Sequence, residues 1–145
     1  MGDTEERKGS GLKRGHLTRE SILREALTLV DEKGFDALSL RTLGKRLGVS
    51  QAAFYRHIPD KAVLLDGVAE IIWQEVFDRC TSALSEESFT ARDTDWKTVF
   101  SLYAHCLMDI LHSHPNAVIL VLTHPMSTAN EFESAARLLV QIADL

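Results

Sequence analysis

The chain has 145 residues, 45% hydrophobic and 26% charged, with a net charge of −5. That balance suits one ordinary globular domain, or two small ones sharing a helix, and it argues against a disordered or fibrous chain. The longest aliphatic run, 117–122, has six residues, where a spanning helix needs roughly 20, so no membrane partner is expected.

The net charge hides a split. Residues 1–62 carry 12 Lys+Arg against 9 Asp+Glu, whereas residues 63–145 carry 4 against 12. Within 37–61 the bases Arg41, Lys45, Arg46, Arg56 and Lys61 face one acid, Asp60. A basic segment on an acidic body predicts one surface made for a polyanion. Residues 1–16 are polar, carry charges of both signs and have no apolar stretch for a signal peptide; they are expected to form a flexible arm. The cysteines, Cys80 and Cys106, form no CxxC pair, which argues for a reducing, cytoplasmic setting.

Apolar residues recur at helical spacing throughout. Thr18 caps a first helix, about 18–33, ended by Lys33 and Gly34. Ser39 caps a short second helix, about 40–47, ended by Gly48. Ser50 caps a third, about 51–57, stopped before Pro59. Asp60 caps a long fourth helix, about 61–80. Leu64, Val68, Ile71, Ile72 and Val76 make one of its stripes, and Val63, Trp73 and Phe77 lie off it. A helix apolar on two sides links two packing units. Residues 81–94 read as a loop. A fifth helix, about 95–113, has Val99, Tyr103, Cys106, Leu107 and Ile110 on its inner face and ends at His114 and Pro115. A short sixth helix, about 116–122, ends at His124 and Pro125. Thr128 and Glu131 form a capping-box pattern that opens a seventh helix to the last residue, with Phe132, Ala135, Leu139 and Ile142 on one face. The predicted class is all-α.

Two short helices joined by a glycine turn form a helix-turn-helix. Gly48 supplies the turn, Val49 points inward, and Gly44 is expected where the third helix crosses closely. The third helix then presents Gln51, Ala52, Ala53, Tyr55, Arg56 and His57. Gln pairs with adenine and an Ala methyl packs on a thymine methyl, while Ser39 and Ser50 place hydroxyls at helix N-termini, where phosphate is welcome.

Residues 38–65, LSLRTLGKRLGVSQAAFYRHIPDKAVLL, closely resemble the DNA-binding domain of the TetR family of bacterial transcription regulators. The resemblance extends over about 17–76. It implies an N-terminal helix-turn-helix domain, 17–62, joined by the fourth helix to part of an α-helical regulatory domain, 63–145. It also implies duplex operator DNA as partner, with Arg41, Gln51, Ala52, Ala53, Tyr55 and His57 facing the groove and Ser39, Ser50, Tyr55 and Lys61 facing phosphates. The C-terminal half is similar, more weakly, to the tetracycline-repressor branch through Trp96, Ser113, His114, Thr123, His124 and Pro125. A small-molecule pocket would then be lined by Phe77, Tyr103, Leu107, Leu120, Thr123, His124, Pro125 and Met126. The polar drug-gripping positions of that branch are Phe77, Tyr103 and Leu120 here, so a mostly apolar effector is expected, with no metal or other cofactor.

Family members bind as two-fold dimers on half-sites about 34–36 Å apart or a multiple of it, and two further helices usually build the dimer. The chain is expected to be a shortened form of a homodimeric regulator, with apolar surface exposed at Leu138 and Leu145. The rival readings are a ligand-independent architectural DNA binder and a small metal-dependent enzyme. The enzyme would use His105, Asp109 and His112, spaced i, i+4 and i+7 on a face expected to be a solvated polar one.

Overall fold

The computed structural model describes residues 17–85, 95–126 and 128–143. The expected arm, most of the expected 81–94 loop and Leu145 lie outside them. All regular structure among the described residues is helical.

Helix α1, Arg19–Lys33, begins at a reciprocal cap: Ser21 N–H donates to Thr18 Oγ1 and Thr18 N–H to Ser21 Oγ, each at 3.1 Å. Gly34, at φ 84°, ends it in a conformation that favours glycine. A 3-10 turn, Phe35–Ala37, leads to α2, Leu40–Leu47, capped by Ser39. Gly48, at φ 65°, makes the left-handed turn into α3, Gln51–Tyr55, capped by Ser50. Asp60 Oδ1 accepts from Val63 N–H at 2.9 Å and opens α4, Lys61–Leu84.

Helix α4 runs one turn past its expected end. Thr81 and Ser82 are indifferent helix formers, but Leu84 is buried one turn beyond buried Cys80, and packing outweighs local propensity there. Helix α5, Trp96–Ser113, is followed by a 3-10 turn, Pro115–Ala117, then α6, Val118–Thr123, and α7, Ala129–Ala143.

Two clusters of buried side chains are strung along α4. The first joins Ile22, Leu23, Ala26 and Leu29 of α1, Leu43 of α2, Phe54 of α3 and Ile58 to Leu64, Val68 and Ile72, and also takes in Ala117 and Leu120. The second gathers Val76, Phe77, Cys80 and Leu84 of α4, Cys106 of α5 and Leu138 of α7. Each fully buried aliphatic side chain contributes about 1.5–3 kcal/mol, and the first cluster is what packs α1, α2 and α3 together. The stripe read in the sequence thus runs through both cores in succession, Leu64 to Ile72 in the first and Val76 in the second, where off-stripe Phe77 joins it.

Two packing expectations are corrected. The tight glycine is not Gly44, around which an added Cβ would meet nothing within 4 Å. It is Gly67, where a Cβ would lie 2.7 and 2.8 Å from the Leu23 methyls, so α1 and α4 approach closely at this point. The inner face of α7 is only partly the expected one: Ala135 and Ile142 pack against the second core. Leu138, expected exposed, is buried, while Phe132 and Leu139 are 57% and 66% exposed. Polar residues take the inward positions: Ser134 Oγ donates to Gln74 Oε1 at 2.7 Å, and Glu131 folds back to accept from Thr128 N–H at 2.7 Å. A pattern of apolar residues alone places the stripe wrongly when buried polar groups have partners.

Candidate nucleic-acid interface and ligand cavity

Three caps hold the reading surface. Ser39 Oγ accepts from Thr42 N–H at 3.0 Å, and Ser50 Oγ accepts from Ala53 N–H at 3.3 Å. Asp60 holds the first turn of α4, which starts at Lys61. Phe54 and Ile58 are buried beneath α3, which turns Gln51, Ala52, Tyr55 and Arg56 outward, all exposed. Ala53 and His57 are half-buried at the edge. Arg41 and Lys61 are exposed, and the Lys61 ammonium lies 5.9 Å from the centre of the Phe35 ring. Arg41, Lys45, Gln51 and Tyr55 line one shallow surface groove between α2 and α3, and Lys61 adds an exposed charge at the start of α4.

Arg46 does not join that face. It bonds Glu25 and Glu32 of α1, the latter through two bonds at 2.6 and 3.0 Å. This bonding pins α2 against α1 and holds the Glu32 carboxyl below its ordinary pKa. The spacing of charges in the sequence gives no sign of that pairing, since the partners are 14 and 21 residues away.

A cavity of about 610 Å³ lies over the second core, within the roughly 300–1,000 Å³ typical of small-molecule sites. Of the positions carried over by resemblance, Phe77, Tyr103 and Met126 line it. Leu107 packs against the second core without reaching the cavity. Leu120 is fully buried in the first core instead, because α6 packs against α4 and the turn before it against α1. Thr123 and Pro125 are exposed; Thr123 Oγ1 lies 2.7 Å from Ile119 O and 2.9 Å from His124 Nδ1.

The rest of the wall is not assigned to a pocket by the sequence: Cys80 and Leu84 of α4, Val99, Phe100 and Leu102 of α5, and Ala135, Leu138, Leu139 and Ile142 of α7. The i, i+4 pair Cys80 and Leu84 was a usable signal, lost because residues past 80 were read as loop. Burial and contact with Cys106 push the Cys80 thiol up to about 12, and burial also raises the Tyr103 hydroxyl. Both therefore stay protonated and neutral at ordinary pH. The wall is apolar with one hydroxyl.

The candidate metal triad separates into other roles. Asp109 accepts from Arg79 at 3.2 Å, His105 Nδ1 donates to Ser101 O at 2.6 Å, and His112 is exposed. Among the described residues no group of three His, Cys, Asp or Glu is placed to hold a metal ion. No single described helix is long and apolar enough to cross a membrane.

A helix-turn-helix on a capped, buried scaffold, continued by a long helix into a second helical core, defines the class of helix-turn-helix regulators. Residues 22–68 match the family profile "Bacterial regulatory proteins, tetR family". The tetracycline repressor protein class C of Escherichia coli is 46% identical over 54 residues, covering 37% of this chain and 25% of that protein. The nucleoid occlusion factor SlmA of Aliivibrio fischeri is 27% identical over 114 residues, covering 78% of this chain and 55% of that protein. Among solved structures, TetR from Acinetobacter baumannii AYE superposes with a TM-score of 0.64 at 28% identity over 86% of this chain and 62% of that one. A possible TetR family transcriptional regulator from Streptomyces coelicolor A3(2) gives 0.67 at 25% identity, over 87% and 58%. Residues 22–68 thus carry the tetR-family profile, and the chain is similar to TetR-family proteins beyond them; it spans about a quarter to just over half of the length of these curated relatives.

Proposed function

We propose that the chain is the DNA-reading part and a portion of the regulatory part of a cytoplasmic transcription regulator. Residues 17–62 would read duplex operator DNA through α3 in the major groove, and residues 63–145 would respond to a small effector. The full regulator would act as a homodimer, without enzymatic activity. The observation that carries this reading is the α3 surface: exposed Gln51, Ala52 and Tyr55 on a helix fixed by buried Phe54 and flanked by exposed Arg41 and Lys61. Gln51 would contact a base edge, and Lys61 a phosphate.

The effector would occupy the cavity over the second core, as a mostly apolar molecule meeting Phe77, Met126 and the Tyr103 hydroxyl. It switches DNA binding only if it favours one arrangement of α4 over the other. Replacing Lys61 with Ala should weaken binding to all duplexes alike and lower the salt slope by about one. Unchanged affinity and slope would remove Lys61 from the interface.

A second reading follows from the longer match, to a nucleoid occlusion factor over 78% of this chain. In that reading the chain binds DNA constitutively and the cavity has no effector. DNA affinity that no cavity-filling compound alters would favour it.

A further inference from the structure

His114 follows the last turn of α5 and precedes Pro115. Its backbone leaves the helix at φ −127°, ψ 59°, since a residue before proline avoids helical geometry. The break aims the imidazole at two other helices. Nδ1 lies 2.7 Å from Asp31 Oδ2 of α1, and Nε2 lies 3.2 Å from Glu75 Oε2 of α4. The side chain is 17% exposed. On the same segment, Asn116 Nδ2 donates to the Asp31 carbonyl at 2.9 Å. The other charged group at the junction is Arg24 of α1, 3.9 Å from Glu75 Oε1 and 60% exposed. Asp31 Oδ1 is buried with no hydrogen-bond partner.

A neutral imidazole has one N–H and one lone pair; only the cation donates from both nitrogens. Here both nitrogens face carboxylate oxygens, which have nothing to donate when ionised. The bridge is therefore complete only with a protonated ring. Loss of that proton would set a ring lone pair against a carboxylate oxygen and leave two acids beside a single, mostly solvated arginine.

The bridge occupies a junction. Glu75 sits between Ile72 of the first core and Val76 of the second. Three residues after His114, Ala117 enters the first core, and Leu120 of α6 follows it.

We propose that His114 is a proton-dependent latch. Protonated, it ties the α5–α6 connection to the carboxylates of both Asp31 and Glu75; deprotonated, it keeps at most one of these two bonds, while Asn116 and Ala117 still hold the segment. The stabilisation needs a protonated ring facing ionised carboxylates, so it is present toward acidic pH and falls away as pH rises; the span to measure is the one that covers imidazoles in general, about pH 5 to 8. Proton binding would then strengthen the hold of the α5–α6 connection on α1 and α4. This goes beyond the DNA-binding reading and is testable without DNA.

The test compares thermal midpoints of the full chain and of His114→Gln across that pH range. The latch predicts a wild-type advantage of roughly 2–8 °C at the acidic end, shrinking toward zero at the alkaline end. Glu75→Gln should flatten part of the wild-type pH dependence, because a neutral ring can still donate to Asp31. An equal wild-type advantage at both ends would overturn the proposal. Should His114→Gln fail to fold, nitrogen-15 spectra of the wild-type ring decide. Two protonated ring nitrogens at the acidic end and one at the alkaline end are expected, and a single protonated nitrogen throughout would sink the latch.

Discussion

Gly67 and Gly44 give opposite predictions for the same substitution. Both lie inside helices, where Ala is favoured over Gly by about 1 kcal/mol. At Gly44 an added methyl meets nothing within 4 Å, so Gly44→Ala should gain most of that, about 0.5–1 kcal/mol. At Gly67 the new Cβ would sit 2.7 and 2.8 Å from the two Leu23 methyls and 3.0 Å from Arg19 Nη2. Optimal carbon–carbon separation is about 3.5–4.0 Å, so α1 or the Leu23 side chain must yield by about 1 Å. Leu23 is 1% exposed, so its methyls can yield only by rotating within a packed core. Overpacking of this kind costs about 1–3 kcal/mol, which outweighs the propensity gain. Gly67→Ala should therefore be neutral to about 2 kcal/mol destabilising, and should fall below Gly44→Ala by about 1–3 kcal/mol. Denaturant titration of both variants reads the difference directly as a change in midpoint at constant slope. A Gly67→Ala protein as stable as Gly44→Ala would refute the close approach of α1 and α4.

Other consequences can be measured independently. Arg46→Met should destabilise the fold without touching the reading face. Because Arg46 lowers the Glu32 pKa, that ion pair stabilises above the unfolded carboxylate value and is lost as pH falls through the folded one; the variant should show a shallower acid limb in a pH titration of stability. Cys80, with its thiol near 12 and 1% exposed, should react with a thiol reagent at pH 8 at least tenfold more slowly than in the denatured chain; equal rates would mean that the second core is open. Ala135→Trp should fill the cavity and cut binding of an apolar fluorescent probe severalfold, whereas Thr123→Trp, outside the wall, should not.

Much of this architecture was legible because local rules agreed. Thr18, Ser39, Ser50 and Asp60 cap helices as their residue types predict, and Gly34 and Gly48 take the left-handed turns. What escaped the sequence depended on partners far away in the chain. Arg46 looked like a DNA-facing base until Glu25 and Glu32 came against it. Phe132 and Leu139 read as core, but Ser134 and Glu131 found hydrogen-bond partners and took the inward side of α7. Resemblance puts Leu120 in a cavity, but the packing of α6 against α4 sets it in the other core. Cys80 and Cys106, remote in sequence, meet because α4 and α5 pack side by side.

The central claim is that the exposed side of α3 reads base pairs. Selection of bound duplexes from a randomised pool, performed with the chain and with Gln51→Ala, tests it most directly. The account predicts a defined half-site for the wild type. Gln51→Ala should lose preference at one base pair, worth about 1–3 kcal/mol, with the remaining positions unchanged. Selection that yields no sequence preference, or the same preference from both proteins, would contradict it.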